Sequence, residues 1–109
     1  MFHCSRQIRK QIGGVNVRES EIERMLALQV KKMGGMAVKF VSPGLDGVPD
    51  RIVLLPGRKM AFVELKAPGN KPRPLQEKRK RQLEALGFPV YVIDGEEQIG
   101  GVLDEICAT

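Results

Sequence analysis

The chain has no tryptophan, one tyrosine, four phenylalanines, one histidine and two cysteines among its 109 residues. So few aromatic rings argue against a protein that binds single strands by stacking successive bases. Cys4 and Cys107 lie near opposite ends and form no CxxC pair, so neither a disulfide framework nor a zinc site is implied. Both read as free thiols in a reducing cytosol. His3, the only histidine, reads as a terminal residue rather than a catalytic base. No apolar run approaches the ~18 residues of a membrane span. Met1 to Val17 lacks the apolar centre of a secretory signal. The expected setting is therefore intracellular and cytoplasmic, with no membrane contact and no organic cofactor.

Charge of one sign is also locally missing. Residues 1–18 carry Arg6, Arg9, Lys10 and Arg18 with no acid, whereas Val92 to Thr109 carries five acids and no base. Between them, Lys66, Lys71, Arg73, Lys78, Arg79, Lys80 and Arg81 face only Glu77. With a net charge of +5, this pattern predicts a polyanion-binding face with a back side. Lys71, Arg73, Lys78, Arg79, Lys80 and Arg81 are the expected contacts to nucleic-acid phosphates.

The chain length fits one small domain over 18–109, preceded by a basic and flexible arm over 1–17. Ile22, Met25, Leu26, Val30 and Met33 recur at helical spacing, and Gly34-Gly35 supply a stop. Asn16-x-x-Glu19 and Ser20-x-x-Glu23 both read as capping boxes for that helix. At 100° per residue from Glu19, the apolar stripe centres near roughly 310°, Glu23 near 40° and Glu21 near 200°. Glu19 thus flanks the stripe, and Glu21 is expected in water. Met36 to Ser42, Arg51 to Leu55 and Met60 to Leu65 read as strands, with Pro56-Gly57-Arg58-Lys59 turning the hairpin. The second and third strands are almost wholly apolar, which predicts central strands covered on both faces. A helix over Leu75 to Leu86 should start at Pro74, stop at Gly87 and turn Leu75, Leu83 and Leu86 inward. On it, Gln76 borders the inward face, Arg79 falls within the stripe, and Lys78, Lys80 and Arg81 fan outward. Val90 to Ile93 is a last strand, and Glu96 to Cys107 a closing helix. The sum is an α/β fold with a mixed central sheet flanked by helices.

The chemistry concentrates between Pro49 and Lys66. Glu64 and Lys66, two apart on a strand, share one face while Leu65 enters the core. Hairpin pairing would bring Asp50 to the same end. Hydrolysis of a phosphodiester needs a nucleophilic water and neutralised phosphate charge. A magnesium ion supplies both, using one or two carboxylates, a carbonyl and waters as ligands. Asp50, Glu64 and the Leu65 carbonyl are the candidate ligands, with Glu19 joining through water. Lys66 would orient or deprotonate the attacking water, and Gln76 would hydrogen-bond the lysine, the water or the phosphate. Taken singly, an Asp after Pro is an ordinary turn residue and Glu-x-Lys an ordinary ion pair.

Pro49-Asp50 followed by Glu64-Leu65-Lys66 resembles the PD-(D/E)xK motif of restriction-endonuclease-like nucleases. More closely, Arg18 to about Gln98 is similar to the stand-alone virus-type replication-repair nuclease (VRR-NUC) domains of phage and bacteria. Lys39 to Gly44, Gly47 to Arg51, Phe62 to Gly69 and Lys71 to Gln76 carry the likeness. The resemblance implies an αβββαβ core, dependence on Mg²⁺ or Mn²⁺, and homodimers that cut branched or junction DNA as Holliday-junction resolvases do. It also implies catalytic roles for Asp50, Glu64, Lys66, Gln76 and Glu19. Residues 1–17 have no counterpart in it. A catalytically silent nucleic-acid-binding module and a restriction-type duplex endonuclease are the alternatives.

Overall fold

The computed structural model describes residues 18–109. The expected arm over 1–17, with His3, Cys4 and the Asn16 cap, lies outside them. Helix α1 (Glu19–Lys32) leads into strands β1 (Met36–Lys39), β2 (Arg51–Leu55) and β3 (Lys59–Leu65). Helix α2 (Pro74–Ala85), strand β4 (Val90–Ile93), a 3₁₀ turn (Glu96–Gln98) and helix α3 (Ile99–Ala108) follow. Among the described residues, no helix is long and apolar enough to cross a membrane.

The strands lie in the order β1-β2-β3-β4, antiparallel except for the parallel β3–β4 pair. The sheet is therefore mixed, as expected. One face carries Val53, Leu55, Ala61, Val63, Leu65 and Ile93. They are buried against Ile22, Leu26 and Val30 of α1 and Ile99, Leu103 and Ile106 of α3. Burying a side chain of this size contributes roughly 1.5–3 kcal/mol, so this layer holds the fold together.

Local chemistry sets where the elements stop. Gly34, at φ +85°, donates its N–H to Lys31, and Gly35 donates to Val30, which closes α1 in a Schellman turn. Gly35 has a second constraint, since any side-chain carbon there would collide with the Leu54 carbonyl oxygen. At its start, α1 uses neither expected capping box: Arg18 is the N-cap, and its N–H donates to Glu21 at 3.5 Å. Glu21 is thereby drawn half out of water, against the expectation from the helical wheel. Strand β1 ends at Lys39 rather than Ser42, because β2 begins at Arg51 and leaves nothing further to pair with. The ladder gains one more bond, from the Phe40 N–H to the Asp50 carbonyl at 2.9 Å.

The other sheet face differs from the expectation of full cover. Strand β3 is buried on both sides, but Leu54 of β2 is 40 % exposed, beside Met36 at 61 %. Helix α2 lies over this face without burying any residue. Leu75 and Leu86 point largely outward, whereas Gln76, Arg79, Lys80 and Leu83 are half-buried. The reason is electrostatic. Beneath the helix stand a carboxylate and loop carbonyls, which attract polar side chains more strongly than they attract leucines. Gly87, at φ +96°, and Phe88 close α2 in a second Schellman turn on Glu84 and Leu83, as predicted.

Candidate functional site

The site forms where the β2–β3 ladder runs out. The register Arg51↔Val63 makes Asp50 and Glu64 the next rung, with both side chains on the face beneath α2. Beyond β2, the Leu65 N–H has no strand partner. It donates instead to Asp50 Oδ2 at 2.8 Å, so a buried donor is satisfied and the carboxylate is fixed. The N–H and C=O of one strand residue face the same neighbour, which puts the Leu65 carbonyl on the Asp50 side. The next amide, Lys66 N–H, faces the other way and donates to the Ile93 carbonyl at 2.9 Å.

Glu64 is 3 % exposed. Lys66 Nζ lies 3.2 Å from its Oε2, as the two-residue period predicts. The lysine is the charged partner of this buried oxygen, and no further donor reaches it among the described residues. Burial first, and then the Asp50 carboxylate, push the Glu64 pKa above the usual glutamate value. Lys66 pulls it back without cancelling the rise, and Glu19 adds a smaller upward push. Glu19 therefore lies within electrostatic reach of Glu64 from the end of α1. Glu23, by contrast, is bound to Arg51 Nε at 2.7 Å, while Arg51 Nη1 donates to the Ala37 carbonyl.

A buried carboxylate beside a second carboxylate, with one lysine as counter-charge, is a poor resting place for negative charge and a good one for a hard cation. Among the described residues, no three His, Cys, Asp or Glu side chains cluster closely enough to hold an ion by themselves. Two carboxylates and a carbonyl still fit Mg²⁺, which keeps several waters and takes phosphate oxygens as ligands.

No family model matches the sequence. A curated protein of Acyrthosiphon pisum secondary endosymbiont phage 1, named "Putative nuclease p44", is 53 % identical over 81 residues. The match covers 74 % of this chain and 87 % of that protein. A solved structure described as a VRR_NUC domain superposes with a TM-score of 0.74, over 81 % of this chain and 97 % of the other, at 24 % identity. The chain belongs to the same family as that phage nuclease, and its fold is that of the VRR-NUC domain. Asp50, just ahead of β2, Glu64 on β3 and Lys66, just past β3, meet at one sheet end.

The remaining predicted positions of this VRR-NUC-fold chain divide. Gln76 does border the site, lining a small gap with Glu64 and Lys80. Its Oε1 accepts the Arg73 N–H at 2.9 Å and so caps α2, which leaves the amide NH₂ as the group able to face a substrate. Arg79 is committed to the fold: its Nε donates to the Asp46 carbonyl at 2.8 Å and its Nη1 to Gln82 at 2.6 Å. Lys80 does not fan outward. It is half-buried over Glu64 and pairs with Glu84 at 3.3 Å. Lys71, Arg73, Lys78 and Arg81 are exposed, Arg81 within 4.0 Å of Glu77.

Sequence reasoning missed the loop between β1 and β2 as part of the site. Gly47, at φ +80°, lies so close to α2 that a Cβ would stand 2.9 Å from the Leu75 carbonyl oxygen. Together with the Arg79–Asp46 bond, this docks the loop on the helix start just ahead of Asp50. The glycine was the visible signal, but its neighbour 28 positions away was not.

Proposed function

We propose that this VRR-NUC-fold protein is a divalent-metal-dependent endonuclease that hydrolyses phosphodiester bonds in branched or junction DNA, as a homodimer. The observation that carries the reading is Glu64: buried, beside the Asp50 carboxylate, with Lys66 Nζ 3.2 Å from its Oε2. Asp50 and Glu64 would hold Mg²⁺ or Mn²⁺ together with the Leu65 carbonyl, and Glu19 would reach it through water. Such an ion polarises the phosphate and acidifies a bound water.

The chain's own groups do the rest. Lys66 Nζ orients the attacking water and offsets the negative charge that develops on the phosphate. Gln76 presents its amide N–H groups from the helix above. Lys71, Arg73, Lys78 and Arg81 grip phosphates, which gives affinity without base specificity. The exposed cross-strand pair Met36 and Leu54, at the sheet end remote from the site, offers an apolar surface for a second copy.

The test is a cleavage assay on labelled four-way junction, flap and plain duplex, run in Mg²⁺, in Mn²⁺ and in EDTA. Branched substrates should be cut, EDTA should stop the reaction, and Lys66→Ala should lower the rate roughly a hundredfold or more. Equal nicking by wild type and Lys66→Ala would reject the role given to the lysine. Light scattering of the same preparation reads the number of copies.

A further inference from the structure

A groove of about 550 Å³ opens directly beside Asp50, between the β1–β2 loop and the start of α2. Its walls include Phe40, Val41, Leu45 and Leu75. Three of these are aliphatic and well exposed, Val41 at 77 %, Leu45 at 44 % and Leu75 at 42 %. Sugar-phosphate backbone gains nothing from such walls. The flat face of a nucleobase does, because removing it from water is favourable at roughly 25 cal/mol per Å² of apolar surface. Polar groups stand around the same groove. Arg73 and Gln76 line it and can take a phosphate, while the Asp46 carboxylate lines it and repels one. A nucleotide entering here therefore keeps its phosphate toward Arg73 and Gln76, and its base against the aliphatic walls.

We infer that this groove receives one unpaired nucleotide next to the scissile phosphate. The inference rests on the nuclease reading and goes further by giving the branched-DNA preference a location. A base inside a duplex is stacked on both faces, and it reaches such a groove only by leaving the stack, at a cost of a few kcal/mol. At a flap, a bulge or a junction that cost is smallest. The groove thus favours distorted DNA over intact duplex. Aliphatic walls accept any base, so the preference is one of structure and not of sequence. The Arg79–Asp46 bond and the close packing of Gly47 on Leu75 keep the groove formed before substrate arrives.

The test uses the full chain in Mg²⁺ with three DNAs of one sequence: fully paired, with one extra unpaired thymidine, and with an abasic residue in place of that thymidine. The abasic DNA keeps the bend and the phosphate but removes the base. Wild type should cut the thymidine form about tenfold faster, in kcat/KM, than the abasic form, matching the lower end of what one held base contributes. In a Val41→Ser, Leu45→Ser double variant, that ratio should fall to about one. Both positions are solvent-exposed, and circular dichroism confirms folding. Equal cutting of thymidine and abasic DNA by the wild type would overturn the inference. A second measurement does not need catalysis: fluorescence anisotropy with Lys66→Ala protein should show tighter binding of the thymidine form, and equal binding would likewise overturn the groove. Absence of cleavage on all three DNAs in Mg²⁺ and Mn²⁺ would reject the nuclease reading itself, and the anisotropy comparison would still decide the groove.

Discussion

Glu64 combines burial with a like-charged neighbour, Asp50, and together they oppose its ionised form more than Lys66 favours it. The consequence for stability has a definite sign. A carboxyl whose folded pKa lies above its unfolded value favours the fold while protonated, and that contribution is lost as pH rises through the folded pKa. Glu64→Gln should therefore stabilise the metal-free protein at pH 7.5, by about 1 kcal/mol or roughly 4–8 °C in Tm. The gain should shrink toward zero below the ordinary glutamate pKa of 4.5. Thermal melts of both proteins in EDTA at several pH values measure it. A variant that is less stable at pH 7.5 would mean that Lys66 outweighs burial and Asp50. Asp50, Glu64 and Lys66 were legible in the sequence because the two-residue period of a strand fixes sides without further information. Glu21, Lys80 and the capping role of Gln76 were not, since each depends on what the helix meets in space.

Strands β2, β3 and β4 were read to within a residue, since unbroken apolar runs between turn formers leave few registers, whereas β1 was read too long. Helix α2 was placed correctly in the chain, but its inward face is rotated toward Lys80 and away from Leu75 and Leu86. Leu83, Gln76 and Arg79 face inward as expected, yet the face they meet contains Glu64 and the Asp46 carbonyl, so Lys80 turns inward while Leu75 and Leu86 are left exposed. Arg79 then ties the loop ahead of Asp50 to the helix. Arg79→Ala should cost about 1 kcal/mol in urea unfolding, as expected for one charged hydrogen bond at an accessible site. It should also make the chain between Ser42 and Val48 a site of early proteolytic nicking, read by mass spectrometry, while the β2–β3 hairpin stays protected. Unchanged protection of the loop would show that Gly47 and Leu75 hold it unaided.

At the scale of the described molecule, Lys71, Arg73, Lys78 and Arg81 are exposed on α2 and the loop before it, the helix that lies over Glu64. Binding to duplex should weaken with salt. Each phosphate neutralised adds about −0.9 to the slope of log affinity against log salt concentration. Replacing Lys71 and Lys78 by alanine, in the Lys66→Ala background, should flatten that slope by about 2 without changing any preference among base sequences. Anisotropy titrations from low to moderate NaCl measure it. The charge asymmetry was plain in the sequence. The side on which it falls was not, because it follows from how α2 crosses the sheet.

The bond from the Leu65 N–H to Asp50 does more than orient a carboxylate. It makes a reactive group one rung of the sheet, shared between backbone and side chain. The site is thereby coupled to the ladder: fraying of β2 from β3 would release the acid, and their pairing draws it back to the Leu65 amide.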